Sequence, residues 1–255
     1  MVTSSLFGLI GRNIDHSFSA EYFNKKFQRE GIDASYALFN LESVEEMTKI
    51  IDGNENLKGL NITSPFKREV IPLLDSLSEE AEFMRSVNVI RVLWNASSQN
   101  KDILLKGYNT DAEGFRLTLY PLYLDKNKKA LILGTGGAAS AVEYALRKEG
   151  IDYDVVSRTP LSGQLGYDEA AERLPEYQLI VNATPVGMYP DIEAVPPLSL
   201  SLLDEGHICY DLIYNPSETR FLALARQKGA KTVNGLQMLH NQADLAWKIW
   251  NADEG

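Results

Sequence analysis

Apolar positions along the first half of the chain follow two patterns. Residues at helical spacing, as at Tyr22, Phe23 and Phe27, predict a helix over 20–30 that ends at Gly31. Short runs of consecutive apolar residues predict buried strands. These strands are expected over 6–11, 36–39, 57–63 and 87–92.

Two more helices are expected between those strands. One begins after Ser43, because Glu46 three residues later completes a capping-box pattern. The other begins at Phe66, because Pro65 is typical of the first turn of a helix. Strands and helices therefore alternate, which predicts an α/β fold with a parallel or mixed sheet.

The second half of the chain contains a complete strand–helix–strand unit. A strand is expected over 129–133, a glycine turn over 134–139, a helix over 140–148 and a second strand over 153–156. Gly150 ends the helix. Further strands are expected over 179–182, 208–212 and 232–233, and further helices over 219–228 and 236–250.

Length and composition limit the possible classes of protein. The chain has 255 residues, 44% of them hydrophobic and 24% charged, which is enough for two modest globular domains. No apolar run approaches the ~18 residues of a membrane helix, and no secretory signal is evident. The one cysteine, Cys209, is expected to be buried and inert, and we expect a cytoplasmic protein. A net charge of −10 argues against nucleic acid as a partner.

Gly134, Gly136 and Ala139 form the pattern of a dinucleotide-binding turn. In such a turn the first glycine permits a tight bend, the second lets the backbone approach a pyrophosphate, and the small third residue lets the helix pack on the strand. The position inside a βαβ unit favours dinucleotide binding over a structural turn that binds nothing.

The end of the following strand distinguishes the two nicotinamide coenzymes. NAD sites usually have an acidic residue there, which bonds the ribose 2′-hydroxyl. This chain has Ser157, Arg158 and Thr159 instead. A guanidinium can bond a 2′-phosphate through two hydrogen bonds, so we predict NADP(H) as the cofactor. The alternative is that Arg158 is a solvated loop residue.

Lys67 and Asp111 are the candidates for proton transfer. A lysine near the start of the helix expected at Phe66 is unfavourable for the helix dipole, so it is either a surface residue or placed for chemistry. Asp111 alone fits a helix N-cap. A functional interpretation pairs the two side chains to hold the lysine and move a proton.

Nine short motifs follow one another along nearly the whole chain. They are His16-Ser17-Phe18-Ser19, Asn61-Ile62-Thr63-Ser64-Pro65-Phe66-Lys67, Val87-Asn88, Asn109-Thr110-Asp111-Ala112-Glu113-Gly114-Phe115, Gly134-Thr135-Gly136-Gly137-Ala138-Ala139, Ser157-Arg158-Thr159, Asn182-Ala183-Thr184-Pro185-Val186-Gly187-Met188, Asp211-Leu212-Ile213-Tyr214-Asn215-Pro216 and Asn234-Gly235-Leu236-Gln237-Met238-Leu239. Together, and in this order, they resemble the motifs of the shikimate dehydrogenase family.

The resemblance implies a role for each matching position. Lys67 and Asp111 match the catalytic pair. The positions matching substrate contacts are Ser17 and Ser19, for the carboxylate, with Thr63, Asn88, Gln242 and Tyr214. The positions matching coenzyme contacts are Gly134, Gly136, Gly137, Ala138, Ala139, Ser157, Arg158, Thr159, Asn182, Thr184, Gly235 and Met238. No metal is expected, since His16, His207 and His240 lack zinc-like spacing.

The resemblance also implies two α/β domains. A substrate-binding catalytic domain is expected over 1–105 with 236–255, and a Rossmann-type NADP-binding domain over 106–235, with the C-terminal helix packing back on the first domain and substrate in the cleft. The implied reaction is the NADPH-dependent, reversible reduction of 3-dehydroshikimate to shikimate in chorismate and aromatic amino acid biosynthesis. A monomer and a homodimer are both compatible with the resemblance.

Four positions depart from the family pattern. Ala20 stands where the family usually has proline, and Ser157 stands where it has asparagine. Ser86 and Val89 flank Val87-Asn88 where the family has alanine and threonine. These changes bear on substrate detail and coenzyme affinity more than on the reaction. The alternatives are a quinate or quinate/shikimate dehydrogenase, often with NAD, and a catalytically silent NADP-binding paralogue.

Overall fold

The computed structural model describes residues 4–15, 17–95, 102–125 and 127–252. His16, in the first of the motifs, lies outside these residues. The chain forms two compact units, Met1–Thr110 with Ala243–Gly255, and Asp111–Gln242. The boundaries expected from the sequence lie a few residues away from these, and the roles assigned to the two domains stay predictions. In the described ranges, no helix has the length and apolar character needed to cross a membrane.

The first unit is built on a mixed sheet. Its elements are β1 (Ser5–Gly11), α1 (Phe18–Glu30), β2 (Ala34–Asn40), α2 (Met47–Gly53), β3 (Leu57–Ile62), β4 (Ser76–Leu77), α3 (Glu79–Met84), β5 (Val89–Asn95) and β6 (Asp102–Tyr108). The sheet order is β2-β1-β3-β5-β6-β4. Strand β5 is antiparallel to both of its neighbours, whereas β1, β2 and β3 run parallel.

The second unit has the parallel sheet that its sequence pattern predicts. Its elements are α4 (Asp111–Leu119), β7 (Lys129–Leu133), α5 (Gly137–Glu149), β8 (Tyr153–Val156), α6 (Tyr167–Glu172), β9 (Tyr177–Asn182), β10 (Ile208–Asp211), α7 (Arg220–Gln227) and β11 (Lys231–Val233), and the final helix α8 (Leu236–Trp250) begins in it. The sheet order is β11-β10-β9-β7-β8, with every pair parallel. Buried strand residues from both of its faces form two apolar clusters.

The last turns of α8 complete the core of the first unit. The Trp250 ring stacks on Phe7 with centroids 4.9 Å apart, and its indole Nε1 donates to the Ile90 carbonyl oxygen at 3.0 Å. Gly59 makes this possible, because a Cβ there would lie 2.2 Å from the Trp250 ring. The expected packing of the C-terminal helix on the first domain is confirmed.

The prediction of a helix that begins at Phe66 is wrong. Residues 64–70 form turns, followed by a 3₁₀ helix over Ile71–Leu73. The Lys67 carbonyl accepts a hydrogen bond from the Val87 N–H at 2.8 Å, so it does not continue a helical ladder. Lys67 therefore does not lie at the N-terminus of a helix, contrary to the expectation from the sequence.

The prediction of a capping box at Ser43 is also wrong. The segment opens with a 3₁₀ turn, Val44–Glu46, and Ser43 makes no side-chain cap hydrogen bond. Its hydroxyl bonds the Glu45 carboxylate instead. The α-helix begins only at Met47, one turn later than the sequence pattern indicates.

Candidate active site

Polar residues gather where strands end in the first sheet. Strands β1, β3 and β6 finish at the same edge at which the antiparallel β5 starts. We call this the first edge and define it by Asn61 and Thr63 on and after β3, Asn88 before β5, and Asn109 and Thr110 after β6. The fold thus brings two predicted substrate residues, Thr63 and Asn88, to one edge.

Asn88 is the centre of a buried neutral network at the first edge. It is 3% exposed, and its Oδ1 accepts from the Thr110 N–H at 2.8 Å while its Nδ2 donates to the Thr110 hydroxyl at 3.0 Å. Asn61 donates to the Asn88 carbonyl at 3.2 Å and accepts from the Tyr36 hydroxyl at 2.7 Å. Asn88 therefore holds Thr110, the residue that precedes Asp111 in the chain.

The N-terminus of α1 carries both serines expected to bind a carboxylate. Ser17 is the N-cap, and its hydroxyl oxygen accepts from the Ser19 N–H at 3.2 Å. Burial raises the pKa of Tyr36, and the Ser19 hydroxyl opposes that rise by hydrogen bonding to the phenol oxygen. Ser19 therefore lies beside the Tyr36–Asn61 pair, at a helix end that favours negative charge.

Lys67 lies half-buried in the turn that follows β3. Its carbonyl oxygen is bonded by Val87, the residue before Asn88, so the backbone of this turn is tied to the first edge. Asp111, its predicted partner, is the first residue of α4 and belongs to the second unit. The pairing of Lys67 with Asp111 stays a prediction.

Helices α4 and α8 approach closely near Asp111 and Gln242 in the second unit. A Cβ on Gly114, one turn after Asp111, would lie 3.1 Å from the Gln242 Cβ and 3.2 Å from the Met238 carbonyl oxygen. Asn241 donates its side-chain N–H to the Gly114 carbonyl at 3.0 Å. The structure thus brings the helix segments that carry Asp111, Met238 and Gln242 together.

The second sheet has a topological switch point between β7 and β9. The chain passes from β7 to its neighbour β8 on one side, and then crosses to β9 on the other side of β7. Doubly wound sheets bind ligands at such a point, beside the carboxyl ends of the strands. We call this the second edge and define it by 134–139, 157–159, 182–184 and 211–214, which follow β7, β8, β9 and β10.

Position 134 requires glycine for two reasons, its backbone conformation and the closeness of its neighbours. Its φ is +110°, and a Cβ there would lie 2.9 Å from the Thr184 methyl and 3.3 Å from the Ala183 carbonyl oxygen. The turn after β7 therefore touches the loop after β9, which brings two predicted coenzyme residues, Gly134 and Thr184, into contact.

Gly136 and Gly137 differ from Gly134, because nothing within the described parts of the protein requires them to be glycine. Neither has a left-handed φ, and a Cβ on either would meet nothing within 4 Å. Both lie exposed at the start of α5 beside Ala138, while Ala139 is fully buried against the sheet. A group that approaches the backbone from outside, such as a pyrophosphate, gives a reason for the two glycines.

The loop after β8 presents Arg158 to solvent. Ser157 shapes the loop, because its hydroxyl oxygen accepts from the Thr159 N–H and donates to the Thr159 carbonyl, both at 3.2 Å. Arg158 and Thr159 are exposed, and no carboxylate among the described residues forms an ion pair with Arg158. Its guanidinium is therefore open to solvent at the end of β8.

One residue of the second edge is a buried carboxylate. Asp211 is 0% exposed and accepts hydrogen bonds from Asn182 Nδ2 at 3.1 Å, the Ile213 N–H at 3.0 Å and the Thr219 hydroxyl at 2.6 Å. Burial raises the pKa of Asp211, and these three donors oppose the rise. On the same strand, burial raises the pKa of Cys209 to about 12, which disfavours the reactive thiolate.

Gly235 lets the segment before α8 approach the loop after β10. A Cβ there would lie 2.0 Å from the Leu212 carbonyl oxygen, and the Gly235 N–H donates to the Ile213 carbonyl at 3.0 Å. Tyr214, the next residue of that loop, is 40% exposed. Of the predicted residues, Tyr214 therefore lies at the second edge, and Gly235 is hydrogen-bonded to that edge through Ile213.

Four residues that organise these edges received no catalytic or binding role from the sequence. Asn61 and Thr110 pair with Asn88, and Asp211 and Thr219 pair with each other. The sequence does carry a signal for Asp211, because this carboxylate ends an otherwise apolar strand, Ile208–Asp211. A carboxylate in a buried strand needs hydrogen-bond donors around it. In the described ranges, no group of three or more His, Cys, Asp or Glu side chains is arranged to hold a metal ion.

One unit has a parallel sheet with a glycine turn at its switch point. The other is a mixed α/β unit with a lysine and buried amides at its edge. Together in one chain, these features define a dinucleotide-dependent class of two-unit α/β proteins. Residues 9–90 match the model of the shikimate dehydrogenase substrate binding domain. The chain is also 35% identical to the shikimate dehydrogenase (NADP(+)) of Caldanaerobacter subterraneus subsp. tengcongensis, covering 98% of this chain and 93% of that protein. The chain belongs to the shikimate dehydrogenase family.

Two solved structures illustrate the similarity. The shikimate 5-dehydrogenase of Thermus thermophilus, in complex with NADP(H) and shikimate, is 31% identical with a TM-score of 0.83, covering 98% of this chain and 94% of that chain. The shikimate 5-dehydrogenase of Listeria monocytogenes, in complex with shikimate and NAD, is 28% identical with a TM-score of 0.86, covering 100% and 94%.

Proposed function

We propose that this protein is an NADP(H)-dependent shikimate dehydrogenase, which reversibly reduces 3-dehydroshikimate to shikimate in chorismate and aromatic amino acid biosynthesis. The observation that carries the proposal is similarity along 98% of the chain to a family member that was solved with both NADP(H) and shikimate. The division of the candidate residues between two strand edges supports it.

The second edge fits NADP(H). Gly136 and Gly137 leave an open backbone cradle at the start of α5, where a Cβ would fill the space that a pyrophosphate needs. Arg158, exposed after β8, suits the 2′-phosphate. Thr184, which lies against Gly134 of the glycine turn, and Asn182, which accepts a hydrogen bond from the Thr184 hydroxyl, are assigned to the nicotinamide half.

The first edge fits a small polyhydroxylated acid. Ser17 and Ser19 at the N-terminus of α1 are assigned to the substrate carboxylate, because hydroxyl donors and the helix dipole both favour an anion. Thr63 and Asn88 are assigned to ring hydroxyls, and the family motifs assign Gln242 and Tyr214 to the substrate as well. Such a site discriminates strongly against analogues that lack one hydroxyl, because its polar groups are then left unpaired.

The proposed chemistry assigns proton transfer to Lys67. When bound, the reduced nicotinamide supplies the hydride. The Lys67 ammonium gives its proton to the ring oxygen as the ketone carbon is reduced, and the lysine recovers that proton in the oxidative direction. Asp111 is assigned to orient the ammonium group. Both roles are inferred from the family motifs.

Two alternatives predict different results. A quinate or quinate/shikimate dehydrogenase would use the same side chains with a saturated ring, and the Listeria monocytogenes relative was solved with NAD. The exposed Arg158, which has no ion-pair partner among the described residues, favours NADP(H) over NAD. A catalytically silent paralogue would bind coenzyme and reduce nothing.

The test is a matrix of turnover assays that follow absorbance of the reduced nicotinamide. Shikimate and quinate are each oxidised with NADP+ and with NAD+ by the purified chain. We expect the highest kcat/KM for shikimate with NADP+. Preferred turnover of quinate with NAD+ would support the first alternative, and no turnover with any pair, despite measurable NADPH binding, would support the second. Monomer and homodimer remain equally compatible with the proposal.

A further inference from the structure

The second edge contains one carboxylate, Asp211, that has no part in the proposed mechanism. Asp211 ends β10, is completely buried, and has no cationic partner among the described residues. A buried carboxylate is costly unless donors surround it, and Asp211 has three. Burial raises the pKa of this carboxyl in spite of those donors. An apolar residue at the end of β10 would avoid that cost, so the carboxylate needs an explanation beyond packing.

The three donors connect Asp211 to two loops of the second edge, those after β9 and β10. On one side, Asn182 donates to Asp211 Oδ1, and the Asn182 carbonyl Oδ1 in turn accepts from the Thr184 N–H at 3.1 Å and the Thr184 hydroxyl at 2.6 Å. Asn182 Nδ2 also donates to the Val186 carbonyl at 3.2 Å. The carboxylate thereby fixes the side chain that shapes the loop after β9.

On the other side, the carboxylate fixes the loop after β10. The Ile213 N–H donates to Asp211 Oδ1 at 3.0 Å, which sets the backbone immediately before Tyr214. Thr219 donates to Oδ2 at 2.6 Å while it caps α7. The Ile213 carbonyl accepts from Gly235, so the segment before α8 is held by the same loop.

We propose that Asp211 is a positioning residue, which holds the loops after β9 and β10 in the orientation that receives the nicotinamide half of NADP(H). This inference rests on the proposed function of the second edge. Asp211 is buried below the loops, so it acts through Asn182 and Ile213 and does not touch the coenzyme. The adenosine half, assigned to the turns after β7 and β8, does not depend on Asp211.

Because only the nicotinamide half depends on Asp211, the test compares the Kd values of two ligands. NADPH carries both halves of the coenzyme, whereas adenosine 2′,5′-bisphosphate carries only the half assigned to Gly136 and Arg158. We expect Asp211→Ala to raise the Kd for NADPH about tenfold, which is the change in affinity that the loss of one hydrogen bond typically causes. The Kd for adenosine 2′,5′-bisphosphate stays unchanged. The kcat falls on the order of a hundredfold, as expected for a misplaced reacting group.

Two further variants make the test specific. Asp211→Asn keeps an oxygen acceptor for Asn182 and Ile213, so it restores most of the NADPH affinity. Asp154→Ala is the matched control, because Asp154 is also a carboxylate of this sheet but bonds Tyr177 and Lys129, away from the second edge. It leaves both Kd values unchanged.

The inference is overturned if folded Asp211→Ala binds NADPH as tightly as the wild type, or loses both ligands equally. If Asp211→Ala does not fold, Thr219→Val decides, because it removes a donor to Asp211 and changes no residue assigned to the coenzyme. Selective loss of NADPH affinity in Thr219→Val supports the positioning role of Asp211, and no loss or an equal loss for both ligands overturns it. Failure of the wild type to bind NADPH at all would instead reject the proposed function.

Discussion

The two strand edges solve the same physical problem with different chemistry. Each must hold polar groups at the end of a buried sheet. The first edge uses neutral groups, with Asn88 and Asn61 exchanging hydrogen bonds with Thr110, Tyr36 and the backbone. At the second edge one carboxylate, Asp211, accepts hydrogen bonds from three donors.

The difference follows from how each sheet is built. The first sheet is mixed, so an antiparallel strand begins where its neighbours end, and side-chain amides can reach both N–H and C=O groups there. The second sheet is parallel, so its strands end together and their following loops offer N–H and hydroxyl donors to a shared acceptor. An ionised carboxylate only accepts hydrogen bonds, which suits the second case.

The largest effect expected concerns Lys67, the ionisable residue beside the neutral edge. Lys67→Ala should lower kcat by roughly two to four decades, the range for a general acid–base group. Binding of NADPH should persist, because the coenzyme is assigned to the second edge. Lys58→Ala, an exposed lysine on β3, is the control and should leave kcat unchanged. Near-normal turnover in Lys67→Ala would remove this lysine from the mechanism.

The next effect separates glycines that serve a ligand from glycines that serve the fold. Gly136→Ala has room within the protein, so the folded state should be as stable as wild type while the Kd for NADPH rises roughly tenfold or more. Gly235→Ala places a Cβ on the Leu212 carbonyl oxygen and should mainly lower stability. Thermal unfolding and NADPH titration of both variants measure the contrast. Unchanged NADPH affinity in Gly136→Ala would contradict the cradle.

A smaller effect is expected at the neutral network. Asn88→Ala leaves the buried Thr110 N–H without its acceptor, and we expect about 1–3 kcal/mol of lost stability in denaturant unfolding. Asn251→Ala removes an exposed side-chain bond to the Trp247 carbonyl and should cost less than about 0.5 kcal/mol. Equal stability of the two variants would mean that the network does not hold Thr110.

The smallest effect is a pH dependence confined to the charged edge. Because burial raises the pKa of Asp211, the folded protein binds that proton more tightly than the unfolded chain does. Its contribution to stability is complete below the unfolded pKa of about 3.9 and is lost as the pH rises through the folded pKa. Wild type should therefore lose stability relative to Asp211→Asn as the pH rises above about 4. A constant difference between the two proteins would show that Asp211 does not titrate in this way.

The comparison also shows what could be predicted from the sequence. The glycine turn and α5 were predictable, because Gly134 and Gly150 mark a strand end and a helix end by their backbone geometry. Lys67 was placed on a helix that does not exist, because its carbonyl is used by Val87, twenty positions along the chain and invisible to local patterns. Asp211 was quoted within a motif but given no role, since its three donors come from separate segments. Local patterns predict elements, whereas long-range hydrogen bonds decide the site.

A structure of the protein crystallised with NADP+ and shikimate would test the assigned sites together. We expect the pyrophosphate against Gly136 and Gly137, the 2′-phosphate at Arg158, and the shikimate carboxylate at Ser17 and Ser19. Coenzyme bound away from the carboxyl end of β7, or shikimate bound away from the first edge, would contradict these assignments.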